Sequence, residues 1–214
     1  MGKGFVLYTS RSPTALAKQP DGAAEVRRML RVSADAIHLP LTSSSALVLR
    51  RGPYLVAAGL SAPPAPFYSP TYSSTPARTP VVIRGDLIDL FDAGLTETQR
   101  VKIEPGTRSF LLDVDFFPAN ALPTVLAASA RITAEKATAD RLTFSADGIE
   151  ATPAVVRILT TRVPKRVLLN GQSLTPEHMQ QNGRTLLISF TNKAQPQQIE
   201  VDLAWKTNEA PIRP

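Results

Sequence analysis

Two aspartates two residues apart, Asp113 and Asp115 in the run SFLLDVD, have the spacing for general acid and base work. On a β-strand, side chains at i and i+2 share a face at roughly 7 Å, a separation that paired carboxylates use to cleave glycosidic bonds. A second series, Asp86, Asp89 and Asp92 in GDLIDLFDAG, recurs every three residues but lacks the liganding spacing of a calcium loop. Asp92, before Ala93-Gly94, has the place of a turn residue. Acids alternating with Leu and Phe are also the pattern of a half-exposed strand, so both sets have a purely structural reading as well. The two histidines lie far apart, His38 at an expected strand edge and His178 on an expected short exposed helix. With no Cys in the chain there is no thiolate site or disulfide framework, and neither a metal nor a cofactor is expected. P-loop, dinucleotide and serine-hydrolase-elbow motifs are absent.

A different chemistry is offered by SAPPAPFYSPTYSSTPARTP (61–80), which carries six prolines and three aromatic residues with neither helical nor strand period. Proline fixes φ and removes an N–H donor, so this segment cannot pair as a central strand, and its stiffness lowers the entropy lost on docking. Phe67, Tyr68 and Tyr72 are the aromatic cluster outside an expected strand. They suit contact with a sugar or a neighbouring protein face.

The elements that would hold these residues read as strands. GluValArgArgMetLeuArgVal (25–32) and SerAlaLeuValLeuArgArg (45–51) are short apolar runs, and Gly52-Pro53 joins the second to TyrLeuValAlaAlaGlyLeu (54–60) as a hairpin. Runs at 80–84, 86–91, 100–103 and 109–114 follow, with Glu104-Pro105-Gly106 as a turn between the last two. The pattern pauses from Phe116 to Pro123 and resumes at 125–133, 141–145, 154–159, 166–169, 185–190 and 199–205. The last run alternates Ile199, Val201, Leu203 and Trp205 with polar residues, as a strand with one buried face does. Trp205 is expected to anchor that core. Asn170-Gly171 and Asn182-Gly183 are type I′ hairpin signals. The segment 175–181, opened by Thr175 and Pro176, is the one short helix expected.

The chain therefore reads as all-β, with two antiparallel β-sandwich-like units, the second small and Ig-like. Residues 1–120 form a larger domain carrying loop 61–80, residues 121–206 a small sandwich, and residues 207–214 a tail. The 19 prolines fall mostly between apolar runs. The net charge of +6 is spread evenly over both halves. Arg27-Arg28 and Arg50-Arg51 are basic doublets, and on strands adjacent side chains point to opposite faces, so neither makes a patch alone and no nucleic-acid partner is expected. The apolar cluster Phe5 to Tyr8, which reads as a strand, is too short for a signal peptide or a membrane span, and no membrane partner is expected.

Taken together, LVLRRGPYLVAAGL, VVIRGDLIDLFDAGL, EPGTRSFLLDVD and VLLNGQSL with the closing IEVDL resemble the C-terminal β-sandwich accessory region of bacterial glycoside-hydrolase-like, carbohydrate-active proteins. The resemblance rests on strand and turn phrases and carries over no catalytic residue. It implies a non-catalytic fragment of a longer chain, partnered by a neighbouring catalytic domain and by polysaccharide, and periplasmic or secreted with the parent protein. A free-standing carbohydrate-binding module, or a small glycan-acting enzyme using Asp113 and Asp115, are the alternatives.

Overall fold

The computed structural model describes residues 6–41, 44–60 and 79–203. Strand accounts for 49% of the residues and helix for 14%, under half the globular average of about one third, so the fold is all-β and antiparallel throughout. Phe67, Tyr68, Tyr72 and Trp205 lie outside the described residues, as do the tail 207–214 and most of the 61–80 segment.

The chain divides into two compact units, 1–44 and 45–214. The first is helical: α1 (Pro13–Ala17) starts at Ser12, whose hydroxyl accepts from the Ala15 amide, and α2 spans Gly22–Ala36. The strand expected at 25–32 is thus a helix. Val26, Leu30 and Ile37 recur at helical spacing on one face, and Arg27, Arg31 and Asp35 lie on the other. The eight-residue window, with β-branched Val26 and Val32 at its ends, is too short to separate the two periods. His38 follows this helix with a φ of 56°, rather than standing at a strand edge. Val6 to Tyr8 form no strand.

The second unit begins with a five-stranded sheet of order β1-β2-β5-β3-β4, built from β1 (Ala46–Arg51), β2 (Tyr54–Gly59), β3 (Val81–Asp89), β4 (Glu97–Ile103) and β5 (Arg108–Asp113). Gly52-Pro53 closes the first hairpin with Gly52 at φ 57°, and Pro105-Gly106 turns β4 into β5, both as expected. The runs at 80–84 and 86–91 are one strand, β3, broken by a bulge between Arg84 and Leu87 where Gly85 takes φ 142°. The sheet is curved, since the end of β2 reaches the end of β4 although β5 and β3 stand between them in the order. A Cβ on Gly59 would stand 2.0 Å from the Glu104 carbonyl oxygen, so only glycine lets β2 approach the end of β4 so closely. Leu55, Leu87 and Leu111 form a core on one face of this sheet.

After a 3-10 turn at Val114–Phe116 come two further sheets. One has the order β11-β10-β14-β8-β7, from β7 (Arg131–Ala137), β8 (Arg141–Asp147), β10 (Pro164–Leu169), β11 (Gln172–Ser173) and β14 (Gln197–Leu203). The other has the order β12-β13-β9-β6, from β6 (Thr124–Ala128), β9 (Pro153–Leu159), β12 (Met179–Asn182) and β13 (Thr185–Thr191). Phe144, Val201 and Ile199 of the first meet Val156, Ile158 and Ile188 of the second in a single buried cluster, which makes a β-sandwich.

Alternation along β9 gives the second of these sheets another apolar face. Ala154, Val156 and Ile158 point into the sandwich, while Val155 and Leu159 point out and join Ile88, Leu112 and Val114 of the curved sheet. The helix expected at 175–181 is one 3-10 turn, Pro176–His178, because Met179–Asn182 pairs with β13 instead. Asn170 and Gly171, at φ 52° and 79°, make the expected hairpin turn. At the other Asn-Gly step, Asn182 pairs with Thr185, so Gly183 and Arg184 form the loop one residue later than expected.

Candidate functional site

Asp113 ends β5 and Asp115 lies in the 3-10 turn after it, so the two do not share a strand face as expected. Both carboxylates are engaged by the fold. Asp113 Oδ2 accepts from Arg50 Nη1 at 2.8 Å, and Oδ1 accepts from the Asp115 amide at 3.1 Å, capping the turn. Asp115 Oδ2 accepts from the Asp86 amide at 3.1 Å, beside the Gly85 bulge. Asp113 is 8% exposed. Of the second acidic series, Asp89 accepts from the Phe91 amide, and Asp92 accepts from the amides of Gly94 and Thr96. The hydrogen bond with Thr96, then those of the Gly94 and Thr96 amides, hold the Asp92 carboxyl below its usual range.

Asp86 faces elsewhere. Together with Glu97, Thr98 and Gln99 of β4 and with Gln181, Asn182 and Gly183 at the end of β12, it lines a groove of about 460 Å³. The carboxylate of Glu97 is fixed from behind by Arg157, a β9 side chain pointing away from the sandwich and 1% exposed. Arg157 Nε and Nη2 donate to the Leu95 carbonyl at 3.1 and 2.7 Å, and Nη1 donates to Thr185 Oγ1 at 3.2 Å. The Thr185 hydroxyl donates in turn to Glu97 Oε2, which lies 3.8 Å from Arg157 Nη1. Burial pushes the Arg157 pKa down, and the Glu97 charge opposes that shift. Leu95, at φ 49°, has left-handed backbone where its carbonyl meets the guanidinium. The sequence has no motif for Glu97, Gln99, Gln181 or Asn182; Asn182-Gly183 signals a turn and nothing more.

A larger cleft of about 780 Å³ lies among β8, β10 and β14. Both arginines in its wall are paired, Arg141 with Glu200 and Asp202 and Arg166 with Asp202.

The curved sheet presents an apolar surface opposite its own core. The register places Leu49, Val56 and Phe110 side by side across β1, β2 and β5, with Leu47 and Tyr54 on the same face. Leu47, Leu49, Val56 and Tyr54 are 65%, 66%, 49% and 41% exposed, and Phe91 extends the patch at 69%. The rings of Tyr54 and Phe91 stand 5.6 and 6.2 Å from that of Phe110, tilted by 33° and 59°. Arg51 and Arg108, on the same face, make no ion pair among the described residues.

His38 and His178 share no site, and His178 Nδ1 lies 3.3 Å from Ser189 Oγ. Among the described residues no group of three or more His, Cys, Asp or Glu side chains is placed to hold a metal ion, and no helix is long and apolar enough to cross a membrane. No family model, curated protein or solved structure matches the chain.

Proposed function

We propose that this chain is a non-catalytic accessory β-sandwich region of a carbohydrate-active, glycoside-hydrolase-like protein, and that its curved sheet docks on the neighbouring catalytic domain. One observation carries the reading: the exposed face of Leu47, Leu49, Tyr54, Val56 and Phe91. Apolar surface left in water on two adjacent strands and the turn after a third is the mark of an interaction site. Its composition favours a protein over a sugar. The rings are tilted against one another and most of the surface around them is Leu and Val, which suits a protein contact better than stacking on a flat pyranose. Arg51 and Arg108 call for an acidic rim on the partner.

The reading of Asp113 and Asp115 as a catalytic pair has less support, because Arg50 and two backbone amides already engage the carboxylates. The experiment is binding of this chain to the catalytic domain produced separately, followed by isothermal calorimetry. Leu49→Lys with Val56→Lys lowers the affinity at least about tenfold, as loss of central apolar contacts does, and leaves the circular dichroism spectrum unchanged. Equal affinity in the parent and the double variant sinks the docking surface.

A further inference from the structure

We infer that the groove between the β3–β4 edge and the β12–β13 turn is a subsite for a neutral saccharide. The inference rests on the carbohydrate association proposed above, but concerns a different surface from the docking face. Its basis is the set of hydrogen-bonding groups that the fold leaves open. The side chains of Asp86, Gln99 and Asn182 line the groove and make no hydrogen bond among the described residues. Glu97 engages Oε2 with Thr185 and leaves Oε1 open. Gln181 donates through Nε2 to Thr160 Oγ1 and to the Gly183 carbonyl, and leaves Oε1 open.

Sugar hydroxyls both donate and accept. Two carboxylates supply acceptors only, and two carboxamides supply both, so vicinal hydroxyls find either bidentate arrangement here. The groove's volume lies within the range of about 300–1,000 Å³ typical of small-ligand sites. Positioning is built in. Glu97 is held by the buried Arg157 and by Thr185, and Asn182 ends a strand at a tight turn, so little freedom is lost on binding.

The lining also selects by charge. Asp86 and Glu97 are in its lining and, among the described residues, no Lys or Arg is, so the groove repels uronates and sulfated sugars although the chain as a whole is +6. Among the described residues no aromatic ring lines it for stacking, which places the affinity on the order of millimolar.

Affinity electrophoresis of the full chain through gels containing xylan, mannan or mixed-linkage β-glucan, with polygalacturonate as the anionic counterpart, tests the assignment. At least one neutral polysaccharide retards the parent, and polygalacturonate does not. Asp86→Ala and Asn182→Ala each weaken the retardation at least about fivefold, the worth of one hydrogen bond, with unchanged melting temperature. Absence of retardation by all three neutral polymers overturns the subsite, as does equal retardation of parent and variants, or retardation abolished by EDTA. Leu49→Lys with Val56→Lys keeps the retardation. A parent chain that docks on the catalytic domain but is not retarded therefore removes this site alone, and a parent chain that is retarded but does not dock removes the accessory reading alone.

Discussion

A guanidinium that is 1% exposed has no water around its charge, and Arg157 replaces that water with the Leu95 carbonyl, the Thr185 hydroxyl and the carboxylate of Glu97. The arrangement joins three separate stretches of chain: the turn before β4, β9 and β13. A buried ion pair adds little net stability, because desolvation offsets the attraction, but removing one partner is costly. Arg157→Ala leaves the Leu95 carbonyl and the Thr185 hydroxyl oxygen without their donor and the Glu97 carboxylate without its countercharge, and urea denaturation should show a loss of about 3–5 kcal/mol. The pair Arg157→Met with Glu97→Gln removes both charges together and should recover a large part of that loss. A single variant within about 0.5 kcal/mol of the parent would mean that water reaches the guanidinium.

At the scale of elements, β14 shows what alternation along a strand makes legible. Ile199, Val201 and Leu203 are buried and Glu200 and Asp202 half-exposed, as a period of two requires. Helix α2 shows the limit of the same reasoning, since a short apolar run with valines at its ends fits either period until Leu30 and Ile37 are counted with Val26. The groove was less legible still. Glu97 and Thr185 are 88 residues apart, and a side-chain contact between strands of different sheets leaves no local mark on either.

The polar face of β14 has its own consequence. Asp202 accepts from Arg166 on β10 and from Arg141 on β8, and the hydrogen bond from Arg166 is the foremost cause holding its carboxyl below the ordinary 3.8. In the unfolded chain this group takes up its proton at higher pH than in the folded one. Its contribution is therefore present above pH 3.8 and lost as the pH falls through the lower folded value. Because both arginines are about half exposed, the contribution is at most about 1 kcal/mol. Urea midpoints measured from pH 7 downward should fall more gently for Asp202→Asn than for the parent below pH 3.8, and the variant should start lower at pH 7. Parallel curves would remove Asp202 from the acid limb.

At the scale of the whole 45–214 unit, the sheet of β6, β9, β12 and β13 is a middle layer with two apolar faces. Its inner face fills the sandwich. Its outer face supplies Leu126, Val155, Leu159 and Leu187 to a cluster whose other members, Ile88, Leu112 and Val114, come from the curved sheet and the turn behind it. Separating the curved sheet from the sandwich would therefore expose both halves of this cluster and free Arg157 from Leu95, so neither half keeps its packing without the other. The two should melt together although the chain pauses between them at Phe116 to Pro123. Scanning calorimetry of residues 45–214 should give one transition whose calorimetric and van't Hoff enthalpies agree. Leu159→Ala, at the centre of the shared cluster, should lower that transition as a whole, by about 2–5 kcal/mol in stability, without splitting it. Two resolved transitions in the parent, only one of them shifted by Leu159→Ala, would show that the curved sheet and the sandwich fold as separate bodies and that the shared cluster couples them only weakly.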